Sequence, residues 1–160
     1  MARERAIEHL KKFGLEDRVQ EFDVSSATVE LASAAVGVIP ARIAKTLSFK
    51  VHDDVILIVA AGDAKVDNQK YKAKFGAKAK MLTAEEAETL VGHAVGGVCP
   101  FGVEPGVTTY LDISLQRFDT VFPAAGTASS AVRLTCDELF LSSCAVEWID
   151  VCKAWQEAEV

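Results

Sequence analysis

The chain has 160 residues, 50% hydrophobic and 25% charged, with a net charge of −6. That is enough to bury the core of one domain, and the acidic balance argues against broad, non-specific binding to duplex nucleic acid. The longest apolar run, Val55 to Ala61, is too short to cross a bilayer, and the N-terminus lacks the apolar core of a secretion signal, so a cytoplasmic protein is expected.

In chain order, residues 3–13 predict a helix with Ile7, Leu10 and Phe13 inward and Gly14 at its end. Val19 to Phe22 predicts a short strand. Thr28 to Val36 predicts a helix capped by Ser25 or Ser26 and closed by Gly37. Lys45 to Val51 alternates, with Leu47, Phe49 and Val51 on one face and Thr46, Ser48 and Lys50 on the other. His52-Asp53-Asp54 turns the chain into Val55 to Ala61, whose unbroken apolar character suits a strand buried on both faces. The two strands predict a hairpin.

Asp67 to Phe75 predicts a lysine-rich helix, and Lys78 to Leu82 a short strand. Thr83 with Glu86 forms a capping box for a helix reaching Val91, and Thr135 with Glu138 a second box. Val107–Leu111, Thr120–Phe122 and Ala131–Leu134 predict strands, and the segment from Glu147 a terminal helix. Hairpins mixed with helices, without regular βαβ alternation, indicate an α+β fold with a mixed, curved sheet. No linker or repeat interrupts the chain, so residues 1–160 form one domain.

The stretch Gly96-Gly97-Val98-Cys99-Pro100-Phe101-Gly102 is the most distinctive local feature. Glycine permits close backbone approach and proline fixes one φ, so such a loop can aim bare amides at a carbonyl oxygen that gains charge. Lys45 lies by parity on the strand face assigned to the core, where it either snorkels outward or projects into a pocket mouth. Asp112 suits a turn cap or a polar group in a site. Gly126-Thr127-Ala128-Ser129-Ser130 suits a turn or a pocket wall. Lys65, Lys70, Lys72, Lys74, Lys78 and Lys80 crowd one segment, which fits a solvated face or a phosphate-backbone footprint.

The four cysteines, Cys99, Cys136, Cys144 and Cys152, form no CxxC pair and have no histidine at metal-ligand spacing, so they are expected as reduced apolar fillers. A nucleophilic Cys99 would need a basic partner among His9, His52 and His93. No Walker loop, dinucleotide fingerprint, HExxH or GxSxG occurs. A hydrolase built on this chain would work by positioning and backbone electrostatics.

Taken as an ordered set, these residues resemble the YbaK/EbsC family of aminoacyl-tRNA deacylases, related to the editing insertion domain of bacterial prolyl-tRNA synthetase. The set runs from Ala34-Ala35-Val36-Gly37-Val38 through Ile43-Ala44-Lys45-Thr46-Leu47 and Gly62-Asp63 to the glycine loop. It closes with Asp112, Gly126 and Val132 to Leu139. The resemblance implies a partly barrel-like sheet flanked by helices, no cofactor and no metal. It implies hydrolysis of a mischarged aminoacyl-tRNA, with tRNA for proline foremost and prolyl-tRNA synthetase as a partner within reach.

On the same basis, Lys45 engages the terminal adenosine, while Gly96, Gly97, Val98, Cys99 and Pro100 surround the ester carbonyl. Thr46, Phe101, Gly102, Asp112, Gly126, Ser129 and Ser130 are expected to contact the substrate, and the lysine cluster, read from its charge, places Lys65, Lys70, Lys72 and Lys74 on the tRNA backbone. Many cysteine-removing members carry a second glycine and basic residues shortly after the position of Gly126. Thr127, Ala128, Ser129 and Ser130 stand there instead, which suits another small side chain such as alanine, serine, threonine or a non-protein analogue. The competing readings are a non-catalytic module that binds a nucleic-acid end or small molecule, and an accessory domain that acts only when docked on a synthetase. Sequence-specific DNA binding is not expected without a recognition-helix motif.

Overall fold

A computed structural model describes residues 2–94 and 97–155. The chain opens with α1 (Ala2–Lys11) and a turn at Gly14, followed by β1 (Val19–Glu21). Ala6 and Leu10 bury the inner face of α1, whereas Phe13 lies past the helix end and is exposed, contrary to expectation. In α2 (Val29–Val36) the cap is Thr28, whose Oγ1 accepts from the Leu31 amide at 3.1 Å. The expected caps, Ser25 and Ser26, turn instead toward residues 128–130. Gly37, at φ 84°, ends α2 as expected.

Next come β2 (Ile43–Val51) and β3 (Asp54–Ala61), the predicted hairpin, closed by His52 and Asp53 with His52 at φ 54°. The short β4 (Lys65–Val66) leads into α3 (Asn68–Phe75), where Asp67 Oδ1 caps the Gln69 and Lys70 amides. The expected strand at 78–82 reduces to one bridge between Met81 and Phe49. Thr83 and Glu86 form their capping box on α4 (Ala84–Glu86), which runs into a π-helical turn, Ala87–Val91.

β5 (Thr108–Asp112), β6 (Thr120–Pro123), β7 (Ser130–Val132), β8 (Leu134–Thr135) and α5 (Cys136–Ser142) follow, the last with its capping box. The predicted strand at 131–134 splits at Arg133, because β7 pairs with β1 while β8 pairs with β6. The expected terminal helix is also overturned. The segment forms β9 (Trp148–Ile149) beside β5 and β10 (Cys152–Lys153) beside β4.

The main sheet has the order β8-β6-β2-β3-β5-β9. It mixes the antiparallel β2–β3 pair with parallel contacts of β2 to β6 and β3 to β5. The sheet curls into a half-barrel, giving the expected α+β class with a curved mixed sheet. Cross-strand partners share a face. Lys45, Leu47 and Phe49 therefore sit with Ala60, Ile58 and Ile56 on the main core, while Thr46 and Ser48 sit with Val59 and Leu57. Leu57 joins a second apolar cluster with Leu82, Ala87 and Val91. β2 is thus covered on both faces, with Ser48 buried and Lys45 and Thr46 partly so.

Candidate active site

A hollow of about 280 Å³ lies against the middle of β2. Ala44, Lys45, Thr46, Leu47 and Ser48 supply its floor. One wall comes from the approach to α2 (Ser26 to Val29) and Ala32. A second comes from Met81, Leu82, Ala87 and Val98, and a third from Phe122, Ala124, Ser130 and Ala131. The walls come from segments far apart in sequence, brought together by the pairing of β2 with β6 and of β1 with β7.

Lys45 is half-buried, and it does not snorkel freely. Its ammonium donates to the Gly62 carbonyl at 3.4 Å and to the Ala64 carbonyl. Burial lowers its pKa below the ordinary lysine value. The loop holding it is tightly seated, since a Cβ on Gly62 would lie 2.1 Å from the Pro40 carbonyl oxygen. The ammonium is thus anchored on the 62–64 loop, and Lys45 and Val98 are both lining residues of the hollow.

The glycine loop divides between site and core. Gly96 lies outside the described residues. Gly97 packs on the turn at 126–127, where a Cβ would come within 2.8 Å of the Thr127 backbone, and its amide donates to Ala94 O at 3.0 Å. Val98 faces the hollow. Pro100 is buried, and Phe101 is sealed beneath α1 beside His9, with ring centroids 5.9 Å apart. Gly102, at φ +65°, lies against the Arg5 backbone. Phe101 and Gly102 therefore anchor the loop to α1 and do not reach the cavity.

Cys99 is fully buried, near His93 Nε2 (3.6 Å) and the Phe101 carbonyl. Burial pushes its thiol up to about 12, which removes it as a nucleophile at neutral pH. His93 is buried and donates from Nε2 to Phe101 O at 2.7 Å, tying the loop together. Cys152 is also buried, but Cys144 is exposed and so is not the filler expected.

Asp112 is a cap and not a cavity group. It is buried, and its carboxylate accepts from the Ser114 amide at 2.9 Å and the Val151 amide at 3.0 Å. Gly126, at φ 92°, puts its amide beside the Cys99 thiol. Ser130 lines the hollow, but its hydroxyl accepts from the Ala125 amide and donates to Thr127 O. Ser129 lies outside the lining and pairs through its carbonyl with the Phe22 amide at 2.9 Å.

The lysines also separate. Lys70 is held by Asp150 (3.0 Å) and Cys152 O, and Lys74 by Glu147 (2.6 Å). Lys72 instead lines a second hollow of about 350 Å³ with Lys78, Asn68 and Gln69. Lys65 is exposed on β4. Among the described residues no three His, Cys, Asp or Glu side chains converge as a metal-ligand set, and no helix is long and apolar enough to cross a membrane.

Residues 23–140, which include every lining residue of this hollow, match the aminoacyl-tRNA editing domain family. The chain belongs to that family. This editing domain is 53% identical to the uncharacterized protein YwhH of Bacillus subtilis (strain 168) over 149 residues, 92% of this chain and 95% of YwhH. It is 33% identical over 90 residues to the proline–tRNA ligase of Geobacillus sp. (strain WCH70), covering 56% of this chain and 16% of the ligase. Among solved structures, a candidate trans-editing enzyme for prolyl tRNA synthetase superposes with a TM-score of 0.86 at 29% identity, covering 96% of this chain and 98% of that one. The family resemblance and fold class expected from sequence are both found in the editing domain.

The sequence did not mark the approach to α2, Met81, Leu82, Ala87 or Ser48 as parts of a site. Alanines and single serines carry no chemical signature until the topology gathers them.

Proposed function

We propose that this chain hydrolyses the ester joining a wrong amino acid to the terminal ribose of tRNA, with tRNA for proline as its leading substrate. The observation that carries this reading is the hollow shared by Lys45 and Val98. Its size, at the lower end of ligand sites, suits an aminoacyl group. Family membership and the trans-editing neighbour support it.

In this reading the Lys45 ammonium is a fixed charge for the acceptor end, and the backbone at 97–100 faces the ester carbonyl. The Gly97 amide is taken by Ala94 O and Cys99 is sealed in the core, so the amide of Val98, which lines the hollow, is the candidate donor to the carbonyl oxygen. Water attacks the carbonyl carbon, the bond from that carbon to the ribose oxygen breaks, and the ribose oxygen takes up a proton. Catalysis then rests on orientation and preorganised dipoles. The protein acts as one domain in the cytoplasm, alone or beside prolyl-tRNA synthetase.

The test is a deacylation panel of tRNA for proline charged with alanine, cysteine, serine, threonine or 2-aminobutyrate. Hydrolysis of at least one above the spontaneous rate is expected. Binding without any hydrolysis would replace the enzyme with a recognition module.

A further inference from the structure

We infer that the hollow selects an amino acid whose side chain bears a neutral hydroxyl, and that Thr46 and Ser48 on its floor make the selection. This rests on the deacylase reading above and adds the class of amino acid removed.

Thr46 lies on the cavity floor, and its Oγ1 is buried with no hydrogen-bond partner among the described residues. A hydroxyl withdrawn from water without a partner is costly, and this one, covered in its present rotamer, gains a partner by turning toward an occupant. Rotation about χ1 exchanges the hydroxyl and methyl of threonine between staggered positions, which lets Oγ1 swing toward the hollow. Ser48 stands two residues on, on the same face of β2, and lines the same space.

The other hydroxyls at the rim already hold the walls. Thr28 caps α2, Ser26 donates to Ser130 O at 3.4 Å, and Ser130 bonds to Ala125 and Thr127. They shape the hollow, whereas Thr46 has its bonding capacity open. Among the described residues no carboxylate belongs to the lining, so a basic side chain finds no counter-charge there. The ammonium of the lining, on Lys45, is turned onto backbone carbonyls. The rest of the lining is apolar, with alanines at 32, 44 and 131 set among larger residues such as Ile43, Leu82 and Phe122, and the modest volume suits a side chain of one or two carbons bearing one hydroxyl.

The experiment compares kcat/KM for tRNA charged with serine against alanine, and with threonine against 2-aminobutyrate. Each pair differs by a single hydroxyl. The wild-type protein should favour the hydroxyl member of each pair by at least about tenfold, because a site built to bond a hydroxyl discriminates strongly against its absence. The double variant Thr46→Val with Ser48→Ala should bring both ratios close to one, while Thr46→Ser, which keeps the hydroxyl, should preserve them.

Wild-type ratios of one or below, with at least one substrate hydrolysed, would overturn the selectivity and leave the deacylase reading standing. Hydrolysis of no substrate would overturn both. The wild-type ratios decide even if a variant misfolds. If the double variant folds by its thermal melt and keeps the wild-type ratios, Thr46 and Ser48 are excluded as the selecting groups.

Discussion

Arg117 grips Asp63 with both terminal nitrogens, at 3.0 and 2.6 Å, and the backbone of Asp63 runs between the two carbonyls that receive the Lys45 ammonium. The guanidinium is further fixed by Ser114 O at 2.9 Å and by stacking on Phe118 and Trp155. A bidentate, partly buried ion pair therefore sets the height and direction of the loop on which the lysine rests.

Asp63→Asn keeps the shape of the side chain but removes its charge. We predict a loss of about 1–3 kcal/mol in stability and a fall in deacylation beyond what the melted fraction explains. Arg117→Lys should not substitute, because an ammonium lacks the planar fork. Thermal melts run beside rate assays check both, and full activity in Asp63→Asn would detach the clamp from Lys45.

Lys45→Ala is predicted to lower the deacylation rate by about 100-fold or more, the scale of losing a preorganised electrostatic group. The melt should stay near that of the wild type, because desolvation already disfavours the charged amine. Single-turnover assays on the substrate found by the panel measure this, and near-normal turnover would remove Lys45 from the chemistry.

The split among the lysines predicts two kinds of variant. Lys72→Ala with Lys78→Ala should weaken tRNA binding and flatten the plot of log affinity against log salt by about 0.7–0.9 for each phosphate no longer neutralised. Lys70→Ala and Lys74→Ala, which break bonds to Asp150 and Glu147, should move the melt more than the salt slope. Equal slopes in all these variants would make the segment a solvated face.

His93 predicts an acid-side loss of stability. Burial lowers its folded pKa below the ordinary value of 6.5, so the unfolded chain takes up the proton first as pH falls. The stabilisation is complete above about pH 6.5 and declines as pH drops through the folded value, at up to about 1.4 kcal/mol per pH unit. Urea unfolding between pH 7.5 and 5 should show that slope in the wild type and a shallower one in His93→Gln.

Much of the frame was legible because it rests on local signals. The alternation at 45–51, the apolar run after it and the boxes at Thr83 and Thr135 each fix an element without help from elsewhere. The C-terminal segment was not legible, since strands of two residues, such as Trp148–Ile149, are too short to show a period and exist because an edge of β5 accepts them. The α2 cap was misplaced for a related reason: Ser25, Ser26 and Thr28 all suit the role, and the pairing of 22–26 with 128–130 decides which is left to fill it.

The site was half legible. Lys45 and Val98 line one hollow, whereas Asp112, Phe101 and Gly102 lie outside its lining, and nothing in their identity separates a capping carboxylate or a buried anchor from a ligand group.

The two-residue turn at His52 and Asp53 has a kinetic consequence. A tightly closed hairpin can form in microseconds, and residues 43–61 emerge during synthesis before residue 98 exists. We expect the surface proposed to receive the acyl group to take shape first and to be roofed only later, when distant segments arrive. Pulse-labelled exchange during refolding should then protect amides of 44–60 ahead of those at 120–132, and simultaneous protection would refute that order.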